Sequence, residues 1–264
     1  ADDRTVFEVF QVEDFDAYTP EKWNSNMFSL QRRRVKAKLG AIGERLSSVV
    51  EHSGLVLARH LSDEFPSLWN RKQVDTQWLF FSRDEAAMGA LLDLVDKEST
   101  LAETLADPTP RYRQIFLGIA VSEGYLEVGL WLHHNAWVDR KNLLCVRDDV
   151  HGRQALVELI SQMPAHYEAG IVGQELRSCA DLTDERLQKA LTVFDQEKCW
   201  LFVGARMPKE QVLILGEDIV SEMLAAFERL IPLYRFCAWS PENDRISINT
   251  IASQQKEVID ANHE

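Results

Sequence analysis

The sequence predicts a single α+β domain, with a mixed or mainly antiparallel sheet and helices packed on it. Three observations carry that reading. Helical and strand periodicities alternate irregularly along the 264 residues, without the strand–helix–strand rhythm of a doubly wound sheet. Two strand patterns, about 112–121 and 125–133, flank Ser122-Glu123-Gly124 and read as a hairpin, which is an antiparallel connection. No repeat or linker-like stretch interrupts residues 10–240, so the domain takes in 1–240 and leaves 241–264 as a polar, frayed tail.

The elements follow in order. Residues 5–12 alternate loosely, as a short strand or an ordered lead-in. Thr19-Pro20-Glu21 opens a helix with a hydroxyl N-cap, a proline at the first helical position and an acid in the first turn. Phe28, Val35, Leu39, Ile42, Leu46 and Val49 then line one face to about His52, and Gly54 ends the helix. Residues 55–61 and 75–82 read as strands around a 62–73 loop. Residues 84–105 read as a helix or helix pair, stopped by Asp107-Pro108-Thr109-Pro110. Gly124 is expected to give the hairpin its positive-φ position. Helical patterns follow at 139–147 and 150–162, and 167–172 reads as a strand. A helix capped by Thr183 runs to about Asp195, and 199–206 reads as a strand. A long amphipathic helix covers 216–236, with Pro232 kinking its last turn.

Composition narrows the function. Hydrophobic residues make up 45% of the chain, enough for a packed core, which excludes a disordered protein. The net charge of −13 repels nucleic acid and anionic lipid and disfavours both as partners. No run reaches the ~18–20 apolar residues of a membrane span, and Ala1-Asp2-Asp3-Arg4 opens without an apolar signal core. The four cysteines, at 145, 179, 199 and 237, stand at least 20 residues apart, so they make no CxxC pair. Buried free thiols in a reducing cytoplasm are the expectation. Glycine-rich phosphate loops, a GxSxG elbow, HExxH and an EF-hand loop are all absent, so no cofactor is expected.

Three constellations carry chemistry. Arg32, Arg33, Arg34, Lys36 and Lys38 crowd one stretch of the first helix, either as a solvated face or as an anion-binding patch. Arg32 falls on the apolar seam and is expected to meet a buried acid. On the strand Tyr125–His134, period-2 alternation sends Leu126, Val128, Leu130 and Leu132 to one face. Tyr125, Glu127, Gly129, Trp131 and His133 go to the other, a composition suited to a ligand groove or to a face covered by a helix. His133 and His134 point opposite ways and form a poor chelate, so no metal is expected. Finally, Arg59-His60 ends one strand and Asp75-Thr76-Gln77-Trp78 begins the next. Pairing of those strands would gather His, Arg and Asp at one sheet end, as an acid/base site or as a cluster tying down the 62–73 loop.

The segments Phe15-x-x-Tyr18-Thr19-x-Glu21-x-Trp23-x-x-x-Met27 and Arg34-Val35-Lys36-Ala37-Lys38-Leu39-Gly40-Ala41-Ile42-Gly43-Glu44, followed by Arg59-His60 and Asp75-Thr76-Gln77-Trp78, resemble the YktB-like family of bacterial proteins of unknown function. Leu182-Thr183-Asp184-Glu185-x-Leu187, the strand to Val203-Gly204, and Phe227-x-x-Leu230-Ile231-Pro232-Leu233-Tyr234 extend the resemblance over about 15–236. It implies one α+β domain and brings no activity with it. The chain departs from the family where Leu61-Ser62-Asp63-Glu64 replaces a basic pair and Asn70-Arg71-Lys72-Gln73 replaces a proline-rich piece. The helix 84–105 looks like an insertion. An anion site built on the missing arginines is not implied for this chain, and Arg71 and Lys72 are the candidates to substitute for them.

Two functions follow. The first is a non-catalytic binding or regulatory protein for a small anionic or aromatic ligand, with Arg59, Arg71, Trp78, Glu127 and Trp131 at the groove. The second is an enzyme for a small anionic substrate, with His60 or His133 as acid/base and Asp75 beside it. The oligomeric state is left open by the sequence.

Overall fold

The structure is a computed structural model, and it describes residues 7–84, 86–89, 91 and 110–247. Seven strands form one sheet: β1 (Ala58–Leu61), β2 (Gln77–Ser82), β3 (Phe116–Val121), β4 (Tyr125–His133), β5 (Tyr167–Ile171), β6 (Glu175–Ser178) and β7 (Trp200–Pro208). Their order is β1-β2-β3-β4-β7-β5-β6, and each neighbouring pair is antiparallel. β7, late in the chain, lies between β4 and β5, so the sheet is completed only when both halves of the chain are present.

Helices cover one face. They are α1 (Val12–Asp16), α2 (Ser29–His52), α3 (Trp137–Leu144), α4 (Val150–Ser161), α5 (Asp184–Gln196), α6 (Lys209–Leu215) and α7 (Asp218–Cys237). Val35, Leu39, Ile42 and Leu46 of α2 and Met223, Phe227 and Leu230 of α7 are buried in one cluster with Leu79, Phe81, Leu117, Ile119, Leu130 and Val203 of the sheet. The Phe81 and Phe227 rings meet edge to face at 5.2 Å. Gly43 lets α2 lie close to the sheet, because a Cβ there would stand 2.7 Å from Cδ of Arg59.

β3 is buried along its whole length, residue after residue. A strand buried on both faces needs a second apolar layer. That layer is a smaller cluster on the far side of the sheet: Phe80, Phe116, Ala120, Trp131 and Phe202, with Trp78, Tyr112, Leu176 and Trp200 against it.

Several local expectations need correction. Thr19-Pro20-Glu21 opens a single 3-10 turn, Pro20–Lys22, and not the long helix. Ser25 is extended and caps a second turn, Asn26–Phe28, so α2 starts only at Ser29. Arg32 is fully buried but meets no acid among the described residues. It donates to the carbonyls of Ala17 (3.3 Å), Ser25 (3.1 Å) and Lys22 (2.5 Å), holding the irregular 17–25 segment against the helix. Lys38 is also buried, and its ammonium donates to Asp14 at 2.6 Å and to the Val9 carbonyl. It therefore belongs to the core and not to a solvated face. Gly124 is not at positive φ; the hairpin is closed instead by the Ser122 N–H on the Tyr125 carbonyl, 3.0 Å. Gly54 is left-handed (φ 81°), as expected for the stop of α2.

β6, α1 and α6 are additional to the sequence reading. α7 continues through Pro232 to Cys237. The expected tail is tied down as far as residue 247: Asn243 donates to the carbonyls of Arg235, Phe236 and Ala238, and the Arg245 N–H reaches Asn142. Residues 248–264 lie outside the described residues, as does most of the expected 84–105 helix, of which 86–89 and 91 are helical.

Candidate functional site

The second face of the sheet holds most of the candidate residues, and strand register explains why. Directly paired residues of an antiparallel sheet point to the same side. His60 pairs Phe80, Phe80 pairs Gly118, Gly118 pairs Gly129 and Gly129 pairs Gly204. Trp78 pairs Ala120, Ala120 pairs Glu127 and Glu127 pairs Arg206. Phe116 pairs Trp131 and Trp131 pairs Phe202, and His133 pairs Trp200. His60, Trp78, Glu127, Trp131 and His133 therefore share one face.

Three glycines in register, on β3, β4 and β7, leave room for rings to lie over the backbone. A Cβ on Gly129 would come within 2.5 Å of the Phe202 ring, and one on Gly204 within 2.9 Å of it. Phe116 and Trp131 stack at 5.7 Å, Trp78 and Phe80 at 5.4 Å, and Trp78 meets Trp131 edge-on at 5.2 Å. Such pairs contribute roughly 0.5–1.5 kcal/mol each beyond their burial. Trp131 is buried among these rings and forms the floor of the face.

The two ends of the face are polar. At one end Glu127 accepts from Arg206 at 2.7 Å, and the Arg206 guanidinium lies over the Tyr125 ring at 4.8 Å. Burial pushes the Glu127 carboxyl up, Arg206 opposes that shift and Glu168 adds to it. At the other end the turn Pro110–Arg113 reaches both flanks of the face. The Arg111 guanidinium lies 3.0 Å from Nδ1 of His60. Tyr112 packs on Trp200 at 4.5 Å and on His133 at 5.3 Å.

His133 is a strongly perturbed ionisable group of the face. Its ring stands 4.4 Å from Trp200 and 4.0 Å from His134, and its Nδ1 accepts the Asn135 N–H at 3.2 Å. Burial, then the neighbouring His134 and the positive charge of Arg71, lower its pKa to about 3. At neutral pH it is an uncharged ring, with Nδ1 an acceptor and the proton on Nε2. His60 is likewise an acceptor at Nδ1, because a guanidinium only donates.

Other candidates lie elsewhere. Arg59 sits one residue from His60 and so faces the helices, where it pairs with Glu44 of α2. Asp75 is exposed, two residues ahead of β2, and makes no hydrogen bond or ion pair among the described residues. The expected gathering of Arg59, His60 and Asp75 thus does not occur: alternation separates Arg59, and Asp75 stands outside the strand ladder. Arg71 is exposed and left-handed (φ 56°), and its charge reaches His133. Arg111, Tyr112 and Trp200 were not among the sequence candidates. For Trp200 the signal was present, since Trp200, Phe202, Gly204 and Arg206 alternate with Leu201, Val203, Ala205 and Met207 just as β4 does.

A small apolar cavity of about 30 Å³ lies on the helix-covered face, lined by Leu130, Leu156, Leu187, Leu201 and Cys237 among others. A shallow open cleft lies at Asn24, Pro66, Ser67, Leu68 and Lys72. Neither is on the ring face. Among the described residues no cluster of His, Cys, Asp and Glu could hold a metal, and no helix is long and apolar enough to cross a membrane. Comparison with known proteins finds no family model and no curated sequence that matches this chain.

Proposed function

We propose that this chain is a non-catalytic binding or regulatory protein for a small ligand that is anionic, aromatic or both. The ligand is taken up where Tyr112, His133 and Trp200 pack together at the end of the ring face, within the electrostatic reach of Arg71. The single observation that carries the reading is the state of His133. An uncharged imidazole with Nδ1 already accepting has one donor, Nε2–H, to offer a ligand oxygen, on a ring that packs with Tyr112 and Trp200 and feels the charge of exposed Arg71. Rings for area and a few fixed polar groups for orientation are what small-ligand sites are built from.

The same facts count against the alternative, an enzyme with His60 or His133 as acid/base. A general acid or base works best with a pKa near the working pH. That of His133 is about 3, and Nδ1 of His60 is taken by the Arg111 guanidinium. Resemblance to the YktB-like family adds no activity to either reading. A cytoplasmic setting fits the four free cysteines.

Titration with phosphate esters and aromatic carboxylates, followed by tryptophan fluorescence, tests the proposal. A saturable response is expected, lost in Arg71→Ala and His133→Phe and kept in Arg59→Ala. No saturable response from the wild-type protein, or one that Arg71→Ala leaves intact, would overturn it.

A further inference from the structure

The β1–β2 loop runs beside the start of α2, since Asn24 lines a cleft with Leu68 and Lys72 and Arg33 pairs with Glu64, and both segments carry exposed apolar side chains and cations. Met27 is 87% exposed, Leu30 71% and Leu68 77%, values far from those of a packed side chain. Leu68 lines the shallow cleft with Asn24, Pro66 and Lys72, and Met27 and Leu30 follow Asn24 at the approach to α2 and in its first turn. Arg33 and Arg34 stand three and four positions after Leu30 and so lie on the same side of the helix. Both are exposed. Glu64 is buried and shared between Arg33 (3.4 Å) and Lys36 (2.7 Å), so its charge is neutralised locally.

The loop that carries Leu68 is held in a costly shape. Arg71 and Lys72 are consecutive left-handed residues (φ 56° and 61°), and neither is glycine. Residues with a Cβ rarely adopt this conformation, and two in succession need the surrounding bonds to hold them. The turn is kept by the Lys72 N–H on the Ser67 carbonyl at 2.7 Å and the Arg71 N–H on Leu68 at 3.3 Å. The result is an apolar cleft with a positive rim on a chain of net charge −13.

We propose that this patch docks an acidic amphipathic helix of a partner protein. Its apolar stripe would lie along Met27, Leu30 and Leu68, and its carboxylates would meet Arg33, Arg34 and Lys72. Helix-in-groove recognition uses this combination of an apolar stripe and flanking charge. Exposed apolar side chains gathered at one place mark interaction surfaces. Nucleic acid is the less favoured occupant: the most exposed apolar side chains here, Met27, Leu30 and Leu68, are not aromatic, and a chain of net charge −13 repels a polyanion.

The test is fluorescence anisotropy of the full chain with a labelled synthetic helix, leucine along one stripe and glutamate elsewhere. A parallel titration uses a labelled DNA duplex. Wild-type protein should bind the helix saturably, and more weakly as salt is raised. The pair Leu30→Asp and Leu68→Asp should weaken it by about tenfold or more, and Arg34→Glu with Lys72→Glu likewise. Leu30→Gln with Leu68→Gln, which adds no charge, serves as a second variant should the aspartates lower the melting temperature. Three results would overturn the proposal: no saturable helix binding, equal binding by wild type and both leucine variants, or DNA binding that survives the leucine changes and is lost with the cations.

Discussion

His133 and Trp200 are register partners at the end of β4 and β7, and their rings stand 4.4 Å apart at 61°. That packing removes His133 from water on one side, and its pKa falls from 6.5 to about 3. The unfolded chain therefore binds a proton between those values that the folded chain refuses. Stability from this group is complete above about pH 6.5 and is lost as the pH falls toward 3, at up to about 1.4 kcal/mol per pH unit. Urea midpoints between pH 7 and 4 should fall less steeply for His133→Phe than for the wild type. Parallel curves would mean that His133 titrates normally.

Gly204 sits under the Phe202 ring and beside the β4 backbone. A Cβ there would lie 2.2 Å from the Val128 carbonyl and 2.6 Å from Cα of Gly129. Neither backbone atom can move without shifting a central strand. Gly204→Ala should cost about 3 kcal/mol, at the upper end of the usual overpacking range. Gly124→Ala, where nothing lies within 4 Å, should stay within about 0.5 kcal/mol. Chemical denaturation of the two variants distinguishes a filled trough from a spacious one.

Asp139 holds the sheet, α3 and the end of α7 together. Its carboxylate takes both Arg83 Nη groups, at 2.6 and 2.8 Å, and the N–H groups of Ile115 and Trp239, each at 2.8 Å. Removing one partner of a buried pair strands the other charge. Asp139→Ala should cost about 3–5 kcal/mol, and thermal melting should show a loss far larger than for the exposed pair broken by Asp148→Ala.

Leu39 and Lys36 separate the two sides of α2. Leu39→Ala should cost about 2–5 kcal/mol, the range for truncating a core leucine. From the sequence Lys36→Ala is expected within about 0.5 kcal/mol. The 2.7 Å pair with buried Glu64 raises that expectation to about 1 kcal/mol. Denaturant curves giving equal losses for the two would mean that the helix face is wrong.

How much of this was legible in the sequence depends on the range of each interaction. The β4 alternation placed Glu127, Trp131 and His133 on one face, and the same arithmetic separates Arg59 from His60. Helix periodicity found Leu39, Ile42 and Leu46. What could not be read were contacts fixed only by tertiary packing. Arg111 meets His60 from 51 residues away. Arg32 looked like a partner for an acid, yet the carbonyls of an irregular segment take its place. Lys38 looked solvated because nothing local announces Asp14, 24 residues earlier, as its buried partner. Asp75 resembled a site residue by its position before a strand, but β2 begins two residues later.

The central claim is that a small anionic or aromatic molecule binds at Tyr112, His133, Trp200 and Arg71. The indole N–H resonances of the seven tryptophans give the most direct test, recorded by ¹⁵N NMR while phenyl phosphate is added. The account predicts a saturable shift of the Trp200 indole and the His133 ring, with Trp23 unmoved because its indole is committed to the Tyr18 carbonyl at 2.6 Å. Arg71→Ala should abolish the shift. Saturable shifts centred on Trp23 or Trp239, or none at Trp200, would contradict the claim.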